Sequence, residues 1–179
     1  VLFVDDDAVA APGYLRRLLG HLAVPGRVGW TGPSRIPPDF LRHRHLFKHQ
    51  YLLQLYLAGF VHPEVRPGHL SRAGTFVPLP DWSYEGPVQF LEACHMAFQT
   101  EAIKALGGFD EIYGGIGDWS EPDLCFRLRL RYGNESLWFD PRLAVEHRCS
   151  PSGPTTFRHL DAHQRYLNYQ TFAKRWVIP

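Results

Sequence analysis

Apolar runs and helical spacings alternate along the chain. "VLFV" at residues 1–4 is an unbroken apolar run of strand length, the pattern of a strand covered on both faces as in parallel sheets. After Asp5, Asp6 and Asp7, "AVAAPGYLRRLLGHLA" places Leu15, Leu18, Leu19 and Leu22 at helical spacing. Pro25-Gly26 ends that helix, and "RVGWTG" predicts a second short strand. The order is β-α-β, with the acids at the carboxyl end of the first strand, where open α/β sheets bind ligands.

From Ser34 to about Pro80 the pattern loosens. Pro37-Pro38 breaks the chain, "DFLRHRHLFKHQYLLQLYLAGF" predicts a helix with a basic first part, and a proline-rich loop follows, with a short strand near "GTFV". Regularity returns with "PVQFLEACHMAFQ", which predicts a strand or a pair of strands. "TEAIKALGGF" then predicts a short helix with Thr100 as N-cap, Glu101 in the first turn and Gly107-Gly108 as the stop. "EPDLCFRLRLRYG" predicts another helix, with Leu124, Leu128 and Tyr132 on one stripe and Gly133 at its end. "ESLWFDPRLAVEH" supplies further strand material, "RCSPSGPTT" a polar loop, and "FRHLDAHQRYLNYQTFAKRW" a closing amphipathic helix.

Composition narrows the class without changing this order. The chain has 179 residues, 45% hydrophobic and 21% charged, enough for one globular domain with a real core. The formal charge of +1 gives no ground for a nucleic-acid partner. Cys94, Cys125 and Cys149 are odd in number and lack zinc spacing, which predicts free thiols in a reducing, cytoplasmic setting. The longest apolar stretch, "YLLQLYLAGFV", is too short to span a bilayer, and the start has no signal-peptide pattern.

Two acidic clusters carry the candidate chemistry. Three carboxylates at one strand end repel one another unless a cation offsets them, and a divalent metal on nucleotide phosphates is a common reason for such an arrangement. The plainer reading is one helix cap and two solvated acids. A receiver-domain likeness in "VLFVDDD" fails further on, where "RHRHLFKHQYLLQLY" is basic and lacks the required Asp. In the second cluster, Asp110, Glu111, Asp118, Glu121 and Asp123 interleave with glycines and Trp119 before a helix. Capping by Asp118 or Ser120 accounts for part of it. A general base is also a carboxylate held close to a substrate hydroxyl, and a loop of this kind can hold one.

The succession "FVDDD", "EACHMAFQTEAIKALGGFDE", "EPDLCFRLRLRYG" and "LAVEHRCSPSG" resembles the second half of a GT-A glycosyltransferase. It is most similar to inverting family 2 enzymes, rhamnosyltransferase-like members especially. The likeness spans nearly the whole chain and is weakest from Ser34 to Pro87. It implies an α/β fold of the nucleotide-diphospho-sugar transferase type, a mostly parallel sheet flanked by helices, of which this chain is the C-terminal portion. Residues 1–33 would be the metal-binding βαβ part, 34–87 a variable insert, and 88–179 the acceptor and catalytic part.

Carried over residue by residue, the resemblance places Asp5 and Asp7 on the outer acids of an Asp-x-Asp motif that holds Mn²⁺ or Mg²⁺ on a nucleotide sugar, with Asp6 between them. Glu121 takes the position of the catalytic base. The family usually has Glu-Asp where this chain has Ser120-Glu121, so Asp118 is a second base. Asp123 caps the helix or braces the site. His147 matches a histidine that completes the metal site, a set that suits Mn²⁺ somewhat better than Mg²⁺. Arg148 and the loop after it close over the diphosphate. Glu92, Ala93, Cys94 and His95 fall on the strand lining the acceptor pocket, although core packing is the better reading of Cys94. Trp119 either stacks on a sugar face or packs in its loop.

The implied reaction is transfer from a nucleotide-diphosphate sugar to a hydroxyl of a saccharide or lipid-linked acceptor. A retaining transferase of the polypeptide N-acetylgalactosaminyl type and a non-catalytic carbohydrate-binding or assembly module are the alternatives. The basic run Arg42–His49 reads first as a solvated helix face, and otherwise as a contact to an anionic lipid-linked acceptor at the inner face of a membrane. The nucleotide-binding half of such enzymes precedes the first strand and is not in this sequence, so an open sheet edge and a homodimer are further expectations.

Overall fold

The computed structural model describes residues 1–35, 68–70, 84–148 and 162–177. The basic run at 42–49, the strand expected near "GTFV", Cys149 and the loop after it lie outside these residues. Among the described residues the chain is mixed α/β, with two mixed sheets and four helices.

The main sheet holds β1 (Leu2–Val4), β6 (His95–Phe98), β3 (Gly29–Thr31), β7 (Leu137–Phe139) and β5 (Gly86–Pro87), in that spatial order. A second sheet holds β2 (Ala8–Ala10), β8 (Val145–His147) and β4 (Ser34–Arg35). In the main sheet only β3 and β7 pair in parallel; β1–β6, β6–β3 and β7–β5 are antiparallel. This corrects the expectation of a mostly parallel sheet. Apolar runs report that both faces are covered, and the coverage here comes from helices on each side whatever the strand direction.

Alternation along the strands sorts residues to those two faces. Phe3, Met96, Phe98, Leu137 and Phe139 join Leu124, Cys125 and Leu128 of α3 (Ser120–Tyr132) and Ala102 of α2 (Thr100–Lys104) in one core. Leu2, Trp30, Ala97 and Trp138 meet Tyr14 and Leu18 of α1 (Tyr14–Leu22) on the other face. β1 lies at the sheet edge, so Val4 is 45% exposed rather than covered on both sides.

Helix α1 begins at Tyr14, just ahead of its first leucine, and the start of the stretch read with it, Ala8–Ala10, is strand β2. Its buried residues are Tyr14, Leu18 and His21, whereas Leu15, Leu19 and Leu22 are exposed. His21 can be buried because its Nε2 lies 2.7 Å from the Asp140 carboxylate. In α2, Thr100 is the first helical residue and Gln99 the cap, so Thr100 is not the N-cap. The Gly107-Gly108 stop is as expected, with both glycines at positive φ and the Gly108 N–H bonded to the Ile103 carbonyl. Leu124 and Leu128 of α3 are fully buried and Gly133 ends the helix, while Tyr132 at the end of the stripe is 36% exposed.

Helix α4 (Ala162–Trp176) closes the structure over α3: Phe172 is fully buried and meets Phe126, whose ring also meets Trp176. Among the described residues no helix is long and apolar enough to cross a membrane. Cys94 and Cys125 are both buried thiols, and burial pushes the Cys125 thiol up to about 12, which makes it inert.

Candidate functional site

The acidic trio is the junction between the two sheets. The Asp5 N–H bonds to the Cys94 carbonyl, extending the β1–β6 ladder by one rung, and the Ala8 N–H closes a turn onto the Asp5 carbonyl. From Ala8 the chain enters the second sheet, where Ala8 lies opposite His147. The Arg148 N–H then bonds to the Asp7 carbonyl at 3.0 Å. This register brings residues from opposite ends of the sequence together. His147 Nε2 is 3.1 Å from Asp7 Oδ1 and 3.5 Å from Asp5 Oδ2.

Two carboxylates and an imidazole, each offering one atom within 4.8 Å of the others, form a donor set suited to a divalent cation. Asp7 and His147 are mostly covered, at 19% and 18% side-chain exposure, while Asp5 is half exposed at 50%. The set is therefore walled on one side and open on the other, as a cation shared with a ligand requires. Asp6 and Arg148 are exposed at its rim.

Asp5 also lines a cleft of about 520 Å³ together with Ser120 and Glu121. Phe3, Met96 and Phe109 make its apolar floor, and Ala93 contributes to its wall. Glu121 sits in the first turn of α3, half-buried, where the helix dipole favours a negative charge. Asp5, Ala93 and Glu121 are thus brought to one cleft.

Asp118, Trp119 and Asp123 are held away from it by α4. Asp118 Oδ2 accepts a 2.5 Å hydrogen bond from Arg165 Nε. The Trp119 ring lies against Tyr169 and Phe172, which is the packing alternative of its two readings. Trp119 is also the only non-glycine residue at positive φ among those described, at 80°, a strained conformation that this packing stabilises. It occupies the N-cap position of α3 without a side-chain cap, so neither Asp118 nor Ser120 caps the helix as expected. Asp123 is fully buried and takes the bracing role.

The other expected pocket residues do not line this cleft. Glu92 is half-buried and outside the cleft lining, Cys94 is 7% exposed, and His95 is fully buried. The reason is a polar network behind the Asp trio. Cys94 Sγ lies 2.7 Å from Ser34 Oγ, which also approaches His95 Nδ1. His95 Nε2 lies 3.0 Å from the Gly32 N–H and 3.1 Å from the Leu143 carbonyl, and Thr31 Oγ1 donates to the His95 carbonyl. Gly32 is needed for this close approach, since a methyl group there would run into the carbonyl oxygens of Leu143 and Asp140. One dipeptide in β6 thereby ties Asp5 to the loops that carry β4 and β8, the latter bearing His147. It acts by positioning the site, not by lining it.

Burial, assisted by nearby His147 and opposed in part by the Leu143 carbonyl, pushes the His95 imidazole down to about 4. In the unfolded chain the ring titrates near 6.5, so below that pH protons bind the unfolded state preferentially. The stabilisation is complete above pH 6.5 and is lost as pH falls towards 4, a change of about 3 kcal/mol. Urea denaturation between these pH values checks this: the wild type should lose stability more steeply than His95→Gln. Parallel curves would show that His95 is not the group responsible.

Met96 and Phe109 are cleft residues that sequence reasoning missed, and so is the pairing of Arg165 with Asp118 outside the cleft. Arg165 is one of several charges on a helix read only as amphipathic, and nothing local to either residue pairs it with Asp118. No protein-family model matches the chain, and the search of curated proteins finds no match.

Proposed function

We propose that this chain is the metal- and acceptor-binding portion of a GT-A, family 2-like inverting glycosyltransferase, moving a sugar from a nucleotide diphosphate to an acceptor hydroxyl. The observation that carries the reading is that Asp5, gathered with Asp7 and His147 into one donor set, also lines the cleft that Glu121 lines. A cation site alone would suit many proteins. A cation site whose Asp5 shares a cleft with a second carboxylate, Glu121, suits the transfer of a group from a phosphate leaving group to a hydroxyl.

Asp5, Asp7 and His147 would hold Mn²⁺ or Mg²⁺, which when bound supplies Lewis-acid neutralisation of the departing diphosphate. Arg148, exposed beside Asp7, adds positive charge where the diphosphate would lie. Glu121 accepts the proton of the acceptor hydroxyl as its oxygen attacks the anomeric carbon and the bond to the diphosphate oxygen breaks on the opposite face, with inversion. The apolar floor of Phe3, Met96 and Phe109 offers the carbon-rich face of a sugar a dry surface.

Calorimetric titration of the full chain with UDP, GDP and dTDP, with and without Mn²⁺, tests the donor half of this reading. Binding is expected for at least one diphosphate, only with Mn²⁺, and lost in Asp7→Ala. Diphosphate binding that ignores both the metal and Asp7 would overturn it.

A further inference from the structure

The described residues gather a histidine and two carboxylates at a second place, His21, Glu85 and Asp140, and the contrast with the first decides what each attracts. At the second place a guanidinium already occupies the position a cation would take. Arg142 Nε and Nη2 lie 2.8 and 2.9 Å from the buried Asp140 carboxylate, and Nη2 also reaches Glu85 at 3.0 Å. His21 Nε2 takes the remaining strong contact to Asp140. Both carboxylates are therefore spent, and the cluster is an ion-pair network rather than an open metal site.

What remains in the surrounding cleft, about 380 Å³ between α1 and the residues after β7, is hydrogen-bond donors. Three guanidiniums, from Arg17, Arg27 and Arg142, line it against two carboxylates, Glu85 and Asp140. The Arg17 side chain is exposed and makes no hydrogen bond or ion pair with the described residues. Arg27 is held flat over the Trp138 ring, 3.3 Å from its centroid, with one contact to His21 Nδ1 at 3.5 Å. Arg142 is fixed by its fork on Asp140. Two of the three cations are thus ordered before any ligand arrives, so less side-chain entropy remains to be lost on binding.

We propose that the cleft between α1 and the β7–β8 connection binds a phosphorylated small molecule, its phosphoryl dianion held by Arg17, Arg27 and Arg142. A phosphoryl group offers three oxygens to the guanidiniums of Arg17 and Arg27 and to Arg142 Nη1, the Arg142 nitrogen not engaged with Asp140 or Glu85, and the volume leaves room for the body of a small molecule beside it. The site is separate from the Asp5–Asp7–His147 cation site and does not depend on the glycosyl-transfer reading.

The test is calorimetric titration of the full chain with inorganic phosphate and with glucose 1-phosphate, in EDTA so that the cation site stays empty. Both probes are expected to bind. Arg17→Gln should weaken binding about tenfold, the loss of one charge-assisted hydrogen bond, and Arg27→Gln should do the same. Asp7→Ala should leave binding unchanged. Arg17 is on an exposed helix surface, so its variant folds and remains decisive if Arg27→Gln does not. No binding at millimolar probe overturns the proposal, as does binding that Arg17→Gln leaves intact. Binding lost in Asp7→Ala but not in Arg17→Gln would assign the anion to the other cleft, which also overturns it. Because no metal is present, failure here leaves the donor reading standing, and failure of Mn²⁺-dependent diphosphate binding leaves this site standing.

Discussion

Replacing Glu121 by glutamine is expected to lower the proposed sugar transfer by about 10²- to 10⁴-fold while donor binding stays within about twofold of wild type. Glutamine keeps the size of the side chain and its place in the first turn of α3 but cannot accept the acceptor's proton. Asp5, Asp7 and His147 belong to other elements and are untouched, so Mn²⁺-dependent diphosphate binding should survive. The cost to folding is small, about half a kcal/mol for losing an acid at a helix N-terminus. The pH–rate profile adds a reading that a structural defect would not give: the acidic limb of the wild-type profile should be absent in the variant. Asp118→Asn should behave differently, because the Asp118 carboxylate is already bonded to Arg165. Its effect should be on the position of the loop and therefore on acceptor KM as much as on kcat. Transfer that survives Glu121→Gln and disappears in Asp118→Asn would move the base to Asp118.

The gathering of Asp5, Asp7 and His147 was legible in the sequence because it rests on motifs in a given order, and each motif brings its own strand end. Helices α2 and α3 were legible for a similar reason, since glycine at positive φ marks their ends whatever lies around them. Strand direction was not legible. Short apolar runs such as "HMAF" are the same in either direction, and the reversal of β6 between β1 and β3 depends on connections outside the runs. The face of α1 was misread because leucine spacing gives a stripe without saying what it meets. Burial of His21 is decided by Asp140, more than a hundred residues later in the chain. His95 stays outside the cleft on the same ground: a polar residue in a strand reads as a site residue until its partners are known. Ser34, Gly32 and Leu143 become those partners only when the two sheets are joined.

Asp123→Ala is expected to destabilise the protein by about 3 to 5 kcal/mol, because it removes the anion from a buried pair and leaves the cations behind. The Asp123 side chain is fully buried yet accepts four hydrogen bonds: from Tyr113 Oη at 3.1 Å, and from Arg127 Nε, Arg175 Nη1 and Trp176 Nε1 at 2.8 Å each. Arg127 spends its other nitrogens on the Leu106 and Gly108 carbonyls, so it cannot swing out to water without breaking the end of α2. Arg175 keeps Asp110 as a second partner, and those two acids hold its guanidinium well above the ordinary arginine range. One carboxylate thus joins α3, the loop after α2 and the end of α4. Asp123→Asn should lose less than alanine, since an amide oxygen in the Oδ1 position still faces the Tyr113, Arg175 and Trp176 donors, but it cannot offset two guanidiniums. Urea denaturation measures the loss, and the fluorescence of Trp176 separates its origin. If the carboxylate is the joint, the Trp176 emission of the folded variant should shift towards that of a solvated indole, as the end of α4 lifts from α3. Lifting α4 also frees the Asp118–Arg165 pair and the Trp119 packing, so the same variant should weaken acceptor binding while Mn²⁺ affinity at Asp5, Asp7 and His147 is retained. A loss below about 1 kcal/mol, the value of an exposed ion pair, would mean that the burial of Asp123 is not what joins these helices.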